Sequence, residues 1–312
     1  MMTASRWWVL LLLGSILLLV GAGCSSSAAA QPERPQISFD EIDPTVARRN
    51  PADDEPIRVA VAAVFSPQGT AESYRMLLDY LEEKLDRPVT LVQRRTYREI
   101  NDLIEQGQVD IAFVCTSAYV AGHDDFGMRL LVAPEVDQAV VYYSLLIVPA
   151  DSTAESMADL AGRTFAFTDP MSHSGRAYPT YLVHQLGFEP EAFFGRTFFT
   201  YSHDDAIRAV ANGIADGANV DSLVYEHVIE REPELAERVK IIHRSPPFGI
   251  PPVVTGPNVS SAWVTTLREI LLGMPDDPAG QAALQAIGVD RFVLVDDSAY
   301  EGVRQILREL GQ

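Results

Sequence analysis

Residues 57–65 read Ile-Arg-Val-Ala-Val-Ala-Ala-Val-Phe. An apolar, β-branched run of this kind suits a strand buried on both faces, and it limits the fold more than any other feature of the chain. The sequence that follows fixes its context. Ser66-Pro67-Gln68-Gly69 makes a turn. Tyr74, Leu77, Leu78, Leu81 and Leu85 then recur at helical spacing, with Arg75, Asp79, Glu82 and Glu83 on the opposite face. Residues 89–92 predict a second strand, 97–105 a second helix ended by Gly107, and 109–114 a third strand. This β-α-β-α-β order implies a parallel sheet with right-handed crossovers.

A long apolar run over 139–149 precedes a new α/β series. Strands are expected at 164–167, 197–201, 218–220 and 239–242, and helices at 175–185, 204–212 and 223–229. A Pro-rich stretch, 245–252, runs back, and helices at 262–273, 279–286 and 298–310 finish the chain. The fold class is therefore α/β in two lobes, each a mostly parallel sheet flanked by helices. Lobe one takes 57–145 and 250–312, lobe two takes 146–249, and two crossover hinge segments join them.

The N-terminus reads as an address. Arg6 is a short basic region, and residues 7–20 are apolar apart from Gly14 and Ser15. That run suits a signal peptide over 1–23 and is short for a bilayer span of about 20 residues. It ends in Gly21-Ala22-Gly23-Cys24, which resembles a lipobox with Cys24 as the lipidated residue, although Gly21 stands where Leu is usual. Residues 24–56 lack periodicity and are expected to form a flexible tether from a lipid anchor to the folded body. The expected location is the periplasm or the cell surface.

Charge and composition exclude several classes. With 24 Lys and Arg against 43 Asp and Glu, the net charge is −19, which excludes a nucleic-acid partner. It does not exclude a small anion, because surface charge is screened beyond roughly 8–10 Å in physiological salt. Two cysteines, Cys24 and Cys115, cannot build a disulfide scaffold or a Cys-rich zinc site. The six histidines show no metal-ligand spacing, so no metal or cofactor is expected.

In open α/β sheets ligands bind beyond the carboxyl ends of the strands. At those junctions stand Ser66, Tyr97 and Thr116-Ser117 in lobe one, and Ser172-His173-Ser174-Gly175 and Ser202-His203-Asp204 in lobe two. Helix N-termini offer free N–H groups and partial positive charge, and the hydroxyls add donors, so two lobes facing one cleft could surround an oxyanion. Ordinary N-capping accounts for a single such junction just as well. The Ser-x-Ser-Gly cluster goes further, because a glycine lets backbone approach a ligand.

Tyr143-Ser144, Asp159-Leu-Ala-Gly162, Phe165-Ala-Phe167, Asp169-Pro170, the 172–175 cluster, Ser202-His203-Asp204, and Val109-Asp110 with Ala118-Tyr119 together resemble the phosphonate- and phosphite-binding periplasmic proteins of ABC transporters. The resemblance covers most of 57–255. It implies a type II periplasmic-binding fold with the ligand between the lobes. It also implies ligand contacts from Tyr97, Tyr143, Ser172, Ser174 and His203, with His173 replacing a usual Thr and able to crowd or charge the pocket. Asp221 lies near the place of an acidic residue that meets a ligand amino group, but no acidic residue occurs in 245–252. A compact oxyanion of the phosphonate, phosphite or phosphate class is therefore expected, with an ABC permease as partner and a monomeric protein.

Cys115 ends the third strand, where it is either a small buried residue or a thiolate ligand in the cleft. The second reading keeps open an arsenite-type sensor that signals to a kinase. A hydrolase built on Ser172, His203 and Asp221 is the rival from another class, and no Gly-x-Ser-x-Gly elbow supports it. Trp263, Leu267, Ile270 and Leu271 form a helical stripe that reads as core.

Overall fold

The computed structural model describes residues 55–312. The signal peptide, Cys24 and almost all of the expected tether lie outside the described residues. In chain order the strands are β1 (Ile57–Val61), β2 (Val89–Val92), β3 (Ile111–Phe113), β4 (Arg129–Glu135), β5 (Val141–Tyr142), β6 (Ser144–Pro149) and β7 (Thr164–Phe167). They continue with β8 (Arg196–Phe199), β9 (Gly217–Asp221), β10 (Val239–Arg244), β11 (Phe248–Gly249), β12 (Val253–Thr255) and β13 (Arg291–Val293).

Two sheets form two lobes. The first has the order β13-β4-β12-β3-β1-β2 and the second β10-β6-β9-β7-β8. β1 pairs in parallel with β2 and β3, and β7 in parallel with β8 and β9, as the alternation of strand and helix requires. Each sheet also carries an inserted antiparallel strand. β12 lies between β3 and β4, and β6 between β9 and β10. The reason is topological. Each of these strands follows a crossover from the other lobe, so it enters its sheet from the cleft side and runs away from the cleft. The crossovers themselves pair as a short ribbon, Phe248 opposite Tyr142 and Gly249 opposite Val141.

Side chains of successive strand residues point to opposite faces, which gives each sheet two cores. In lobe one, Ile57 and Val59 pack with Leu77, Leu81, Leu267 and Leu271, while Ala60 and Ala112 pack with Ile100, Ile104 and Tyr119 on the other side. Trp263 and Ile270 lie partly buried against the first of these, so the C-terminal stripe is core. In lobe two, Leu145, Ala166 and Val220 meet the helices His203–Ala211 and Ser222–Arg231, and Leu146, Phe165 and Phe167 form the opposite core.

Local details differ from expectation where the lobes meet. The strand expected over 57–65 ends at Val61, because the carbonyl of Val64 accepts the His203 N–H of lobe two at 2.9 Å. The helix expected from 175 starts with a π turn over His173–Ala177, in which the Ala177 N–H reaches the Ser172 carbonyl at 2.9 Å. No helix among the described residues is long and apolar enough to cross a membrane.

Candidate functional site

The β3, β7 and β9 ends and the crossover ribbon converge on one buried cluster. Cys115 is the N-cap of the helix Thr116–Phe126, Ser172 precedes the π turn, and Asp221 is the N-cap of the helix Ser222–Arg231. Tyr97, Thr116, Ser117, Tyr142, Ser172, His173, Ser174, His203 and Asp221 are all buried there. Burying so many polar groups together is costly unless they find partners. Several have none. The hydroxyls of Tyr97, Ser117 and Ser174 and both ring nitrogens of His173 lack hydrogen-bond partners. Orphaned donors at one cleft are what an oxyanion would satisfy.

The Ser-x-Ser-Gly segment is held from below. Ser172 Oγ accepts the Gly175 N–H at 3.0 Å. The Ser144 hydroxyl donates to the Ser174 carbonyl at 2.7 Å, accepts from Asn219 Nδ2 at 2.8 Å, and its N–H donates to Ser245 Oγ at 2.8 Å. Gly175 is obligatory for close approach, since a Cβ there would lie 1.9 Å from Thr168 Oγ1. The backbone of this loop is thereby fixed while the Ser174 hydroxyl stays beside the Tyr142 hydroxyl without a bond of good geometry.

The two imidazoles are neutral. Burial pushes His173 and His203 down to about 3. His203 Nδ1 accepts the backbone N–H of Asp221 at 3.0 Å, so its Nε2 carries the proton and is the donor. The ring of His173 packs edge-on against Phe248 of β11, with centroids 4.2 Å apart. It therefore crowds the crossover ribbon, and it adds no charge to the pocket. Burial raises Asp221 to about 7, although its Oδ1 accepts the N–H groups of Leu223 and Val224.

Cys115 is almost fully buried, and burial pushes its thiol up to about 11. Its Sγ accepts the His173 backbone N–H at 3.4 Å across the lobe boundary. Burial therefore favours the thiol over the thiolate at neutral pH, which weighs against the thiolate reading. The hydrolase reading also loses its geometry. Ser172 Oγ caps Gly175, His203 Nδ1 faces a backbone N–H, and Asp221 Oδ1 caps its helix. Among the described residues no group of three or more metal-ligating side chains comes together.

Two expected residues sit apart. Tyr143 is not in the cluster. Its ring lies under the Arg244 guanidinium, 3.5 Å from the centroid, and its neighbour Tyr142 turns inward instead, with its hydroxyl 2.8 Å from Thr116 Oγ1. The reason is strand parity, because adjacent residues of an extended segment face opposite sides. Ser66 marks a contact between lobes. Its Oγ caps Gly69 and its N–H donates to Asp204 Oδ1 at 2.8 Å. A matching contact joins the Tyr97 N–H to Asp169 Oδ2 at 3.1 Å. Each is a lobe-two carboxylate at the N-terminus of a lobe-one helix, Pro67–Leu85 or Tyr97–Glu105, where the helix dipole favours negative charge. Tyr142, Ser144 and Asn219 join the cluster in addition to the residues expected to bind.

Comparison with known proteins agrees with this architecture. The phosphate-import protein PhnD of Mycolicibacterium smegmatis is 30% identical over 202 residues, which span 61% of this chain and 63% of that relative, just under two thirds of its length. The crystal structure of a binding-protein component of an ABC phosphonate transporter from Pseudomonas aeruginosa superimposes with a TM-score of 0.76 at 25% identity, covering 81% of this chain and 86% of the other. PhnD1 of Prochlorococcus marinus, solved in complex with methylphosphonate, gives a TM-score of 0.73 at 18% identity over 82% of this chain and 98% of that one, a likeness of fold. These neighbours share the type II periplasmic-binding fold. The family profile described as "ABC transporter, phosphonate, periplasmic substrate-binding protein" matches residues 59–300, and the chain belongs to that family.

Proposed function

We propose that this protein captures a small oxyanion of the phosphonate, phosphite or phosphate class between its lobes and presents it to an ABC permease, held at the membrane by lipid on Cys24. The observation that carries the ligand class is the set of orphaned hydroxyls on Tyr97, Ser117 and Ser174 gathered in one buried cluster with neutral His203. These are donors without formal charge, suited to tetrahedral oxygens, and they act within a few ångströms, where the outer acidity has little effect. Lobe closure would bring the two sets of donors onto the anion. The names of the M. smegmatis and P. marinus relatives, with phosphate import and a bound methylphosphonate, support the same class.

Calorimetric titration of the purified chain with phosphate, phosphite, methylphosphonate, arsenite and sulfate tests the reading. At least one of the phosphorus oxyanions should bind. Ser174→Ala and His203→Ala should each weaken that binding at least about tenfold, the loss of one buried hydrogen bond to a charged ligand. Wild-type affinity in both variants would sink the site assignment.

A further inference from the structure

Next to the oxyanion cluster lies a second space whose chemistry is different. It is a cavity of about 260 Å³ between the lobes, on the order of nine water volumes. One wall is aromatic and belongs to lobe one. Tyr74 meets Phe113 edge-on at 5.2 Å, and Phe113 lies 6.2 Å from Phe292. The facing wall holds Leu223 and Val224 from the helix Ser222–Arg231, with Phe65 set edge-on to His227 at 5.1 Å. Asp221, Glu226 and Glu230 are its acidic lining residues, and no lysine or arginine lines it.

The cavity adjoins the cluster at two residues. Val114 lines it and directly precedes Cys115. Asp221 lines it too, and stands close enough to Tyr97, Tyr142, Cys115 and Tyr74 for its charge to act on all four. A substituent on an anion held by the orphaned hydroxyls would meet these apolar walls on passing Asp221.

We infer that the cavity is a subsite for the organic substituent of the bound oxyanion, and that the chain prefers phosphonates with an uncharged apolar alkyl or aryl group. This rests on the oxyanion reading above and narrows it. The aromatic walls reward burial of carbon, and the acidic rim, with no lysine or arginine among the lining residues, disfavours a second anionic group.

The test is a calorimetric series on the purified full chain with methylphosphonate, hexylphosphonate, phenylphosphonate and 3-phosphonopropionate. Each methylene buried from water contributes up to about a fourfold gain in affinity. Hexyl- and phenylphosphonate should therefore bind at least about tenfold tighter than methylphosphonate, and 3-phosphonopropionate weaker than methylphosphonate. Val289→Trp and Val136→Trp, which fill the cavity from residues that line it, should abolish the gain for hexylphosphonate and leave methylphosphonate unchanged. Methylphosphonate binding with equal or weaker hexyl- and phenylphosphonate overturns this inference and leaves the oxyanion reading standing. Failure of all four ligands to bind, with phosphate and phosphite also inert, overturns both.

Discussion

The contact between Asp204 and the N-terminus of the helix Pro67–Leu85 offers a direct way to separate lobe closure from ligand contact. The Asp204 carboxylate is only 3% exposed, accepts the Ser66 N–H of lobe one at 2.8 Å, and pairs with Arg208 of its own helix at 2.9 Å. Burial works against its charge, but hydrogen bonds from Arg208, Ser66 and Ser202 hold it below the usual carboxylate range, so it is ionised at neutral pH. In Asp204→Ala the Ser66 N–H loses a charged acceptor in the form where the lobes touch. In a form with the lobes apart the same N–H meets water and loses nothing. A hydrogen bond to a charged group contributes about 1.5–3 kcal/mol, and the whole of that difference falls on the equilibrium between the two forms. Apparent oxyanion affinity should therefore drop roughly 10- to 150-fold. Unfolding of the ligand-free protein should change less, because Arg208 keeps its 2.6 Å bond to Glu232. Asp205→Ala is the matched control. It lies on the same helical turn, half-exposed, with a longer 3.4 Å contact to Arg208, and should bind within about twofold of wild type. Calorimetry gives the affinities, and small-angle scattering with and without saturating ligand reports the compaction. An Asp204→Ala protein that binds as tightly as wild type would refute the view that this carboxylate holds the lobes together.

Three further outcomes are expected. Gly175→Ala would drive a methyl group against the Thr168 side chain, so it should destabilise the protein by about 1–3 kcal/mol in urea unfolding and weaken oxyanion binding, and unchanged stability would contradict the packing. Asp221 keeps its proton in the fold up to about pH 7, whereas an unfolded aspartate loses it near 4, so its contribution is full below about pH 4 and is lost as pH rises through 7. Asp221→Asn, which retains a capping oxygen, should flatten that decline between pH 5 and pH 8, and an unaltered decline would show that burial does not perturb this carboxyl. Alkylation of Cys115 by iodoacetamide at pH 7.5 should run at least about 100-fold slower than that of a free cysteine, since the thiolate is scarce at a value of about 11; a rate like that of free cysteine would restore the thiolate reading.

Much of the lobe architecture could be read from periodicity, because it rests on local alternation. Tyr97–Glu105 and Val89–Val92 have the bounds that the pattern predicts. The antiparallel insertions of β6 and β12 were not legible, since they depend on which side of a sheet the chain enters. Tyr142 escaped for a related reason. The run 139–149 is nearly all apolar, so it carries no alternation to say which of two adjacent tyrosines faces inward. That parity is set by pairing Ser144 with Asp221 on β9, a partner far along the chain. The hydroxyl ladder from Ser245 through Ser144 to the Ser174 carbonyl and Asn219 is likewise assembled from segments 30 to 101 residues apart. Ser172, Ser174 and His203 were visible because small polar residues at strand ends form a local signal.

The ladder has a mechanical consequence. It ties the first crossover, at Ser144, to the second, at Ser245, directly beneath the Ser174 backbone. The ribbon of β5 and β11 also lends Tyr142 to the cluster. Any rotation of one lobe against the other pivots about this ribbon, so Tyr142 and the Ser174 backbone lie near the fulcrum, while the interlobe contacts of Ser66 with Asp204 and of Tyr97 with Asp169 are ones such a rotation would break. A small angular change would then shift the Ser-His-Ser loop little relative to the ribbon, while it separates the lobe-one donors from the lobe-two donors. The ligand's head would first meet the donors fixed to the ribbon, and reporters at Gln68 and Asp205, on the two sides of the Ser66–Asp204 contact, would register occupancy as that contact forms.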